Sequence, residues 1–133
     1  MNNRSMPPGI FIPVLVYPDV PAAVVWLCKT FGFTERLRIG EHRVQLTFDG
    51  GSMVVGQGQP GAGGQSIMVR VNDVDRHYEH VKEQGAEIVR PPQDFPYGER
   101  QYTVKDFVGY TWTFSQSIAD VNPKDWGGEL IND

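Results

Sequence analysis

Between Tyr97 and Gln116 the chain reads YGERQYTVKDFVGYTWTFSQ. Thr111, Thr113 and Ser115 alternate with Trp112 and Phe114, a period of two that predicts a strand with one packed and one polar face. The segment as a whole predicts strand, turn at Asp106–Gly109, strand. Val44, Leu46 and Phe48 alternate in the same way with Gln45, Thr47 and Asp49. Phe11–Tyr17 is almost wholly apolar and predicts a buried strand, with Pro13 moving it to an edge or a bulge. Asp19 then predicts a helix cap, with Pro21 in the first turn and Gly32 as the stop. Arg36–Ile39, Val44–Asp49 and Ser52–Gln57 follow as short strands separated by Gly-containing turns. Ser66–Val71 predicts another strand. Asp73 caps a second helix that ends at Gly85, its buried stripe formed by Val74, Tyr78 and Val81. Glu87–Val89 begins a strand, and Pro91–Pro96 reads as an irregular loop.

The first helix lacks the expected polar stripe: Ala22 to Cys28 are all apolar. Such a helix is expected to be covered on more than one side, by the C-terminal tail or by a second copy of the chain; the second copy, hence a homodimer, is the reading adopted. Residues 1–9 read as a polar lead-in and Ser117–Asp133 as an appended arm, in which Trp126 is expected to find a packing partner.

Composition narrows the class. Twelve basic and sixteen acidic side chains give a formal charge of −4 over 133 residues, without the basic stripe of a nucleic-acid binder. No apolar run approaches a membrane span, and the N-terminal residues lack a secretory pattern, so the expected location is cytoplasmic with no membrane partner. The single cysteine, Cys28, excludes an internal disulfide and reads as a packed thiol. Gly56, Gly58 and Gly61 spell G-x-G-x-x-G, but Pro60, further glycines and a strand follow instead of a helix. No helix N-terminus is available for a pyrophosphate, and the segment reads as a linker.

The two halves repeat. LVYPDVPAAVVWLCKTFGFTE aligns with MVRVNDVDRHYEHVKEQGAEI, pairing Asp19 with Asp73 and Gly32 with Gly85; each half continues as a three-strand meander ending at Gln57 or Gln116. The expected architecture is α+β: a single domain of duplicated βαβββ units, one at about 10–57 and one at about 66–116, joined by a Gly-rich linker at 58–65 and followed by an arm at 117–133. A helix and meander cover one sheet face, so two such units form a curved mixed sheet around a cleft, helices outside.

This duplication, together with GERQYTVKDFVGYTWTF, resembles the vicinal-oxygen-chelate superfamily, which includes glyoxalase I, the extradiol dioxygenases, the fosfomycin-resistance enzymes and the bleomycin-resistance proteins. Asp106–Phe107–Val108–Gly109 stands where the family has a DPDG-type turn. Enzymes of that superfamily hold a divalent metal with His, Gln or Glu from the first and last strands of each unit. The corresponding positions here are Ile12, Val54, Ser66 and Thr113, two aliphatics and two hydroxyls, which do not make a ligand set. The resemblance therefore implies the metal-free, bleomycin-resistance-like branch, with no cofactor and no catalytic residue. The alternative is a metal-dependent lyase, isomerase or dioxygenase with displaced ligands.

The remaining candidates for chemistry are weaker. His77 and His80 sit at helical spacing but off the Val74–Tyr78–Val81 stripe, and His42 lies in a turn; all three read as solvated. Asp19, Asp73 and Asp106 read as cap and turn residues. By period two, the expected ligand-facing residues are Met68 and Arg70 with Thr111, Thr113 and Ser115. Gln45 and Thr47, and Arg100 and Tyr102, join them on strands whose facing the pattern leaves open. Such a lining suits a polar, partly aromatic small molecule, such as a peptide antibiotic or an aromatic metabolite.

Overall fold

The computed structural model describes residues 3–61 and 66–130. The chain forms two compact units, Met1–Gly63 and Gly64–Asp133. Residues 62–65 of the Gly-rich segment and the last three of the arm lie outside the described residues.

The first unit holds β1 (Val14–Tyr17), α1 (Val20–Phe31), β2 (Thr34–Ile39), β3 (Arg43–Phe48) and β4 (Gly51–Gln57). The second holds β5 (Ser66–Arg70), α2 (Val74–Glu83), β6 (Glu87–Phe95), β7 (Glu99–Lys105) and β8 (Thr111–Ser117). The two four-stranded sheets have matching orders, β1-β4-β3-β2 and β5-β8-β7-β6, in which the strand before each helix pairs parallel with the last strand of the meander. This is the duplicated α+β architecture with two mixed sheets.

The helix ends follow from local chemistry. Asp19 and Asp73 accept from Ala22 N and Arg76 N, each at 3.1 Å. Gly32 closes α1 at φ +84°, a left-handed conformation that glycine reaches without steric cost. Gln116 adds a second cap to α2, its Oε1 accepting from Val74 N at 2.9 Å.

Each helix covers one face of its own sheet. Beneath α1 lie Leu15, Tyr17, Val44, Leu46, Met53 and Val55, all buried. Beneath α2 lie Tyr102, Val104, Trp112 and Phe114, each 1 % exposed or less. Burying such side chains stabilises each unit by about 1.5–3 kcal/mol per residue before entropy is counted.

Three expectations change, at the first strand, at Pro91–Pro92 and at His77. The first strand is shorter than Phe11–Tyr17: Phe11 is exposed, and Pro13 precedes β1 while its carbonyl accepts from Val54 N at 2.9 Å. Pro91 and Pro92 fall within β6 rather than a loop. β6 is an edge strand, and its register shifts between Arg90 and Gln93, so the missing N–H groups cost no ladder bonds. α1 buries Val20, Ala23, Val24, Leu27 and Phe31 on one side, but Ala22 and Val25 are exposed within the single chain. His77 is half-buried rather than solvated: its ring lies 4.2 Å from that of Phe114, because three residues after Val74 it falls on the same helical face as Val74, Tyr78 and Val81. His42 and His80 are exposed.

Candidate functional site

In the second unit, the sheet face away from α2 is polar. Strand register fixes its membership. β7 and β8 pair Gln101 with Ser115, Thr103 with Thr113 and Lys105 with Thr111 on one side, while Tyr102–Phe114 and Val104–Trp112 occupy the other. β5 adds Ser66, Met68 and Arg70 opposite Thr111, Thr113 and Ser115. β6 adds Arg90 opposite Thr103 and Phe95 opposite Glu99.

These side chains form two hydrogen-bonded groups. Tyr97 donates its hydroxyl to Gln101 Oε1 at 3.1 Å, Gln101 Nε2 donates to Ser115 Oγ at 3.0 Å, and Ser115 donates to Glu99 Oε1 at 2.6 Å. Gln101 and Ser115 are buried at 3 % and 2 % exposure, so their satisfaction matters: an unpaired buried polar group costs about 1–3 kcal/mol. Beside them the Thr103 and Thr113 hydroxyls meet at 3.1 Å, and Arg90 Nη2 donates to Thr103 Oγ1 at 3.4 Å. The Arg90 guanidinium also stands 5.0 Å from the centre of the Phe95 ring, within cation–π range. Phe95 stacks on Tyr97 at 5.4 Å, and Trp126 meets Tyr97 edge-on at 5.5 Å. Trp126 of the arm therefore has Tyr97 as its aromatic neighbour. The face as a whole presents hydroxyls, an amide and a carboxylate next to an aromatic cluster.

The predicted site residues divide accordingly. Met68, Arg70, Thr111, Thr113 and Ser115 share this face; Met68 and Arg70 are exposed and Ser115 is buried. Gln45 and Thr47 lie on the corresponding face of the first unit, opposite Val54 and Ser52. Gln45 is 5 % exposed there: its Oε1 accepts from Arg36 Nη1 at 2.6 Å, and its Nε2 donates to Ser5 O at 2.8 Å. Arg100 and Tyr102 belong to the α2 side. Tyr102 is fully buried, its hydroxyl 2.6 Å from His77 Nδ1, and burial pushes its phenol well above the ordinary range. Arg100 bridges Asp94 at 2.9 Å and Asp75 of α2 at 3.0 Å, hydrogen bonds that raise its pKa further. Pattern reading missed Glu99, Gln101, Thr103 and Arg90. A hairpin centred on Val108 places residue 103 opposite 113 and 101 opposite 115, so folding the sequence about Asp106–Tyr110 recovers three of the four.

Cys28 is half-buried on α1, its thiol pKa raised first by desolvation and then by the Glu35 carboxylate. This is a poor setting for a thiolate nucleophile. The residues at the positions that correspond to superfamily metal ligands do not fit a resident divalent ion. Ser66 and Thr113 lie on the open face of the second unit, Val54 on that of the first, and Ile12 precedes β1. Aliphatic groups and neutral hydroxyls cannot replace the imidazoles and carboxylates such an ion requires. Among the described residues, no three His, Cys, Asp or Glu side chains converge on one point.

Comparison with known proteins agrees with the topology. Residues 9–114 match the model of the Glyoxalase/Bleomycin resistance protein/Dioxygenase superfamily. The crystal structure of TioX from Micromonospora sp. ML1 is 36% identical, superposes with a TM-score of 0.71, and the match covers 86% of this chain and 100% of TioX. The fosfomycin resistance protein FosX from Listeria monocytogenes shares the fold at 18% identity and a TM-score of 0.67, over 84% of this chain and 94% of that one. An uncharacterized protein of Mycobacterium bovis is 27% identical over 128 residues, 83% of this chain and 84% of its own. With the family model spanning most of its length and the duplicated sheets in place, the chain belongs to the Glyoxalase/Bleomycin resistance protein/Dioxygenase superfamily.

Proposed function

We propose that this protein is a metal-free binder of a polar, partly aromatic small molecule, held on the open sheet face of the second unit. A peptide antibiotic or an aromatic metabolite has the required chemistry. The observation that supports the reading is the hydroxyl–amide ladder of Thr103, Thr113, Gln101 and Ser115, bordered by Glu99, Arg90 and the Phe95–Tyr97 stack. A ligand meets Thr113, Glu99 and Arg90, which reach the surface and are held in place by buried Gln101, Ser115 and Thr103 behind them, so little ordering entropy is lost on binding, and an aromatic group finds a stacking surface. Among the described residues the face offers no metal-ligand set and no thiolate, which supports retention of the ligand over its conversion. The exposed Val25 side of α1 is the contact we assign to a homodimer, and the expected place of action is the cytoplasm.

The test is thermal unfolding against peptide antibiotics, glycopeptides and aromatic metabolites, with and without EDTA. At a hundredfold excess over its Kd, a ligand adds about 2.7 kcal/mol of stability, a shift of several degrees for a chain of this size. The shift should survive EDTA and should disappear in Thr113→Val and Gln101→Leu. A shift that needs added zinc, nickel, iron or manganese would replace this reading with a metal-dependent one.

A further inference from the structure

On the first unit, the open face of the sheet is engaged by the chain's own N-terminal residues. Arg4 and Ser5 are the two central residues of a tight turn, closed by Met6 N donating to Asn3 O at 3.1 Å and reinforced by Ser5 N donating to Asn3 Oδ1 at 3.1 Å. A turn of this kind uses the carbonyl of its first residue and leaves those of its two central residues pointing outward. Both are taken by the sheet: Arg36 Nη2 donates to Arg4 O at 3.0 Å, and Gln45 Nε2 donates to Ser5 O at 2.8 Å. Arg36 Nη1 donates to Gln45 Oε1 at 2.6 Å. That bond fixes the amide with its NH2 group outward and makes the two side chains one rigid donor pair. Pro7 is buried just beyond the turn, and Gln45 is 5 % exposed.

We propose that Arg36 and Gln45 form a peptide-carbonyl site, occupied in cis by the Arg4–Ser5 turn, which accepts a peptide turn from another molecule when the arm leaves. The chemistry is specific. The site supplies two N–H donors spaced for adjacent main-chain carbonyls and makes no demand on the side chains of the visitor. The charge on Arg36 strengthens its bond to a neutral carbonyl. The tethered arm competes at an effective concentration in the millimolar range, so an outside peptide binds weakly until the arm is released. This inference does not depend on the ligand face of the second unit; its contacts and readouts lie on Arg36 and Gln45 alone.

The experiment uses the whole 133-residue chain and, as probe, the acetylated and amidated hexapeptide Asn-Arg-Ser-Met-Pro-Pro, which copies residues 3–8. Pro7→Asp places a charge in a buried position and should free the arm; Met6→Pro does so independently by removing the N–H that closes the turn. Faster tryptic cleavage after Arg4 reports release. NMR titration should then show saturable shifts of the Gln45 side-chain amide in the released chains, with affinity about tenfold or more above wild type. Adding Gln45→Leu or Arg36→Ala to a released chain should abolish the shifts while its spectrum stays folded. The proposal is overturned if released chains show no saturable shift, if they bind no better than wild type, or if Gln45→Leu binds equally well. It is also overturned if both release variants leave cleavage after Arg4 at the wild-type rate, because the turn would then not be what holds the arm.

Discussion

Asp106 carries the largest single stability prediction. It is 5 % exposed at the turn between β7 and β8. Its Oδ1 accepts from Val108 N at 3.1 Å and Tyr110 N at 3.0 Å, and its Oδ2 accepts from Trp112 Nε1 at 3.1 Å. Trp112 is 1 % exposed, so in Asp106→Ala its indole N–H loses the carboxylate acceptor at a site closed to water, at a cost of about 1–3 kcal/mol. The two turn amides lose an ionised acceptor but can turn to solvent, adding about 1 kcal/mol each. The sum, about 3–5 kcal/mol, is a large share of the roughly 5–15 kcal/mol that holds a domain together. Asp106→Asn isolates the indole contribution. Its oxygen keeps both backbone donors while its NH2 faces the indole N–H, donor against donor, so it should lose about 1–3 kcal/mol. Urea unfolding followed by circular dichroism measures both variants. Combining Asp106→Ala with Trp112→Phe should show coupling of about 1–3 kcal/mol, as for residues sharing a buried bond. Equal losses for Ala and Asn, or coupling near zero, would refute the assignment of the penalty to the indole.

Two further substitutions test other parts of the fold. Burial holds the Tyr102 phenol above its ordinary value of 10.0; as pH rises past that value the unfolded chain sheds a proton that the folded chain keeps, so stability falls. Tyr102→Phe should lose about 1 kcal/mol at neutral pH with the His77 contact, yet show a shallower decline above pH 10, measured by urea unfolding across that range; parallel alkaline slopes would count against the burial argument. Gly98 has φ +84°, and a Cβ there would collide with Ala119 O and come within 3.0 Å of Val121 Cγ2. Gly98→Ala should therefore free the arm, whose Ile118 N donates to Gly98 O at 2.8 Å, and hasten tryptic cleavage after Lys124; an unchanged cleavage rate would show that the arm is held elsewhere.

What the sequence made legible follows its strongest local chemistry. Asp19, Asp73 and Gly32 announce the helix ends because caps act within one turn of backbone. Thr111 to Ser115 announce their facing because one parity is entirely aromatic and the other entirely hydroxylic. Glu99 to Lys105 resist such a reading. Arg100 lies on the same side as buried Tyr102 and reaches out past the helix edge to Asp75 and Asp94, while Gln101 and Thr103 are buried polar groups whose burial depends on hydrogen-bond partners far along the chain. The prolines of β6 mislead for a related reason: they argue against a strand only where both edges must be paired, and strand order is not a local property. The engagement of Gln45 by Ser5 spans forty positions and leaves no periodic trace at all.

The chain of bonds from Tyr97 through Gln101 and Ser115 to Glu99 runs one way, every hydrogen aimed at the carboxylate. Such an array is polarised like a short wire, each donor made stronger by the one that follows it. The array therefore ends in acceptors on both sides, the Glu99 carboxylate and a Tyr97 phenolic oxygen whose own hydrogen is already committed. For the ligand proposed above, both termini select donors, and Ser115→Ala would cut the wire in the middle and leave its two halves to reorient independently.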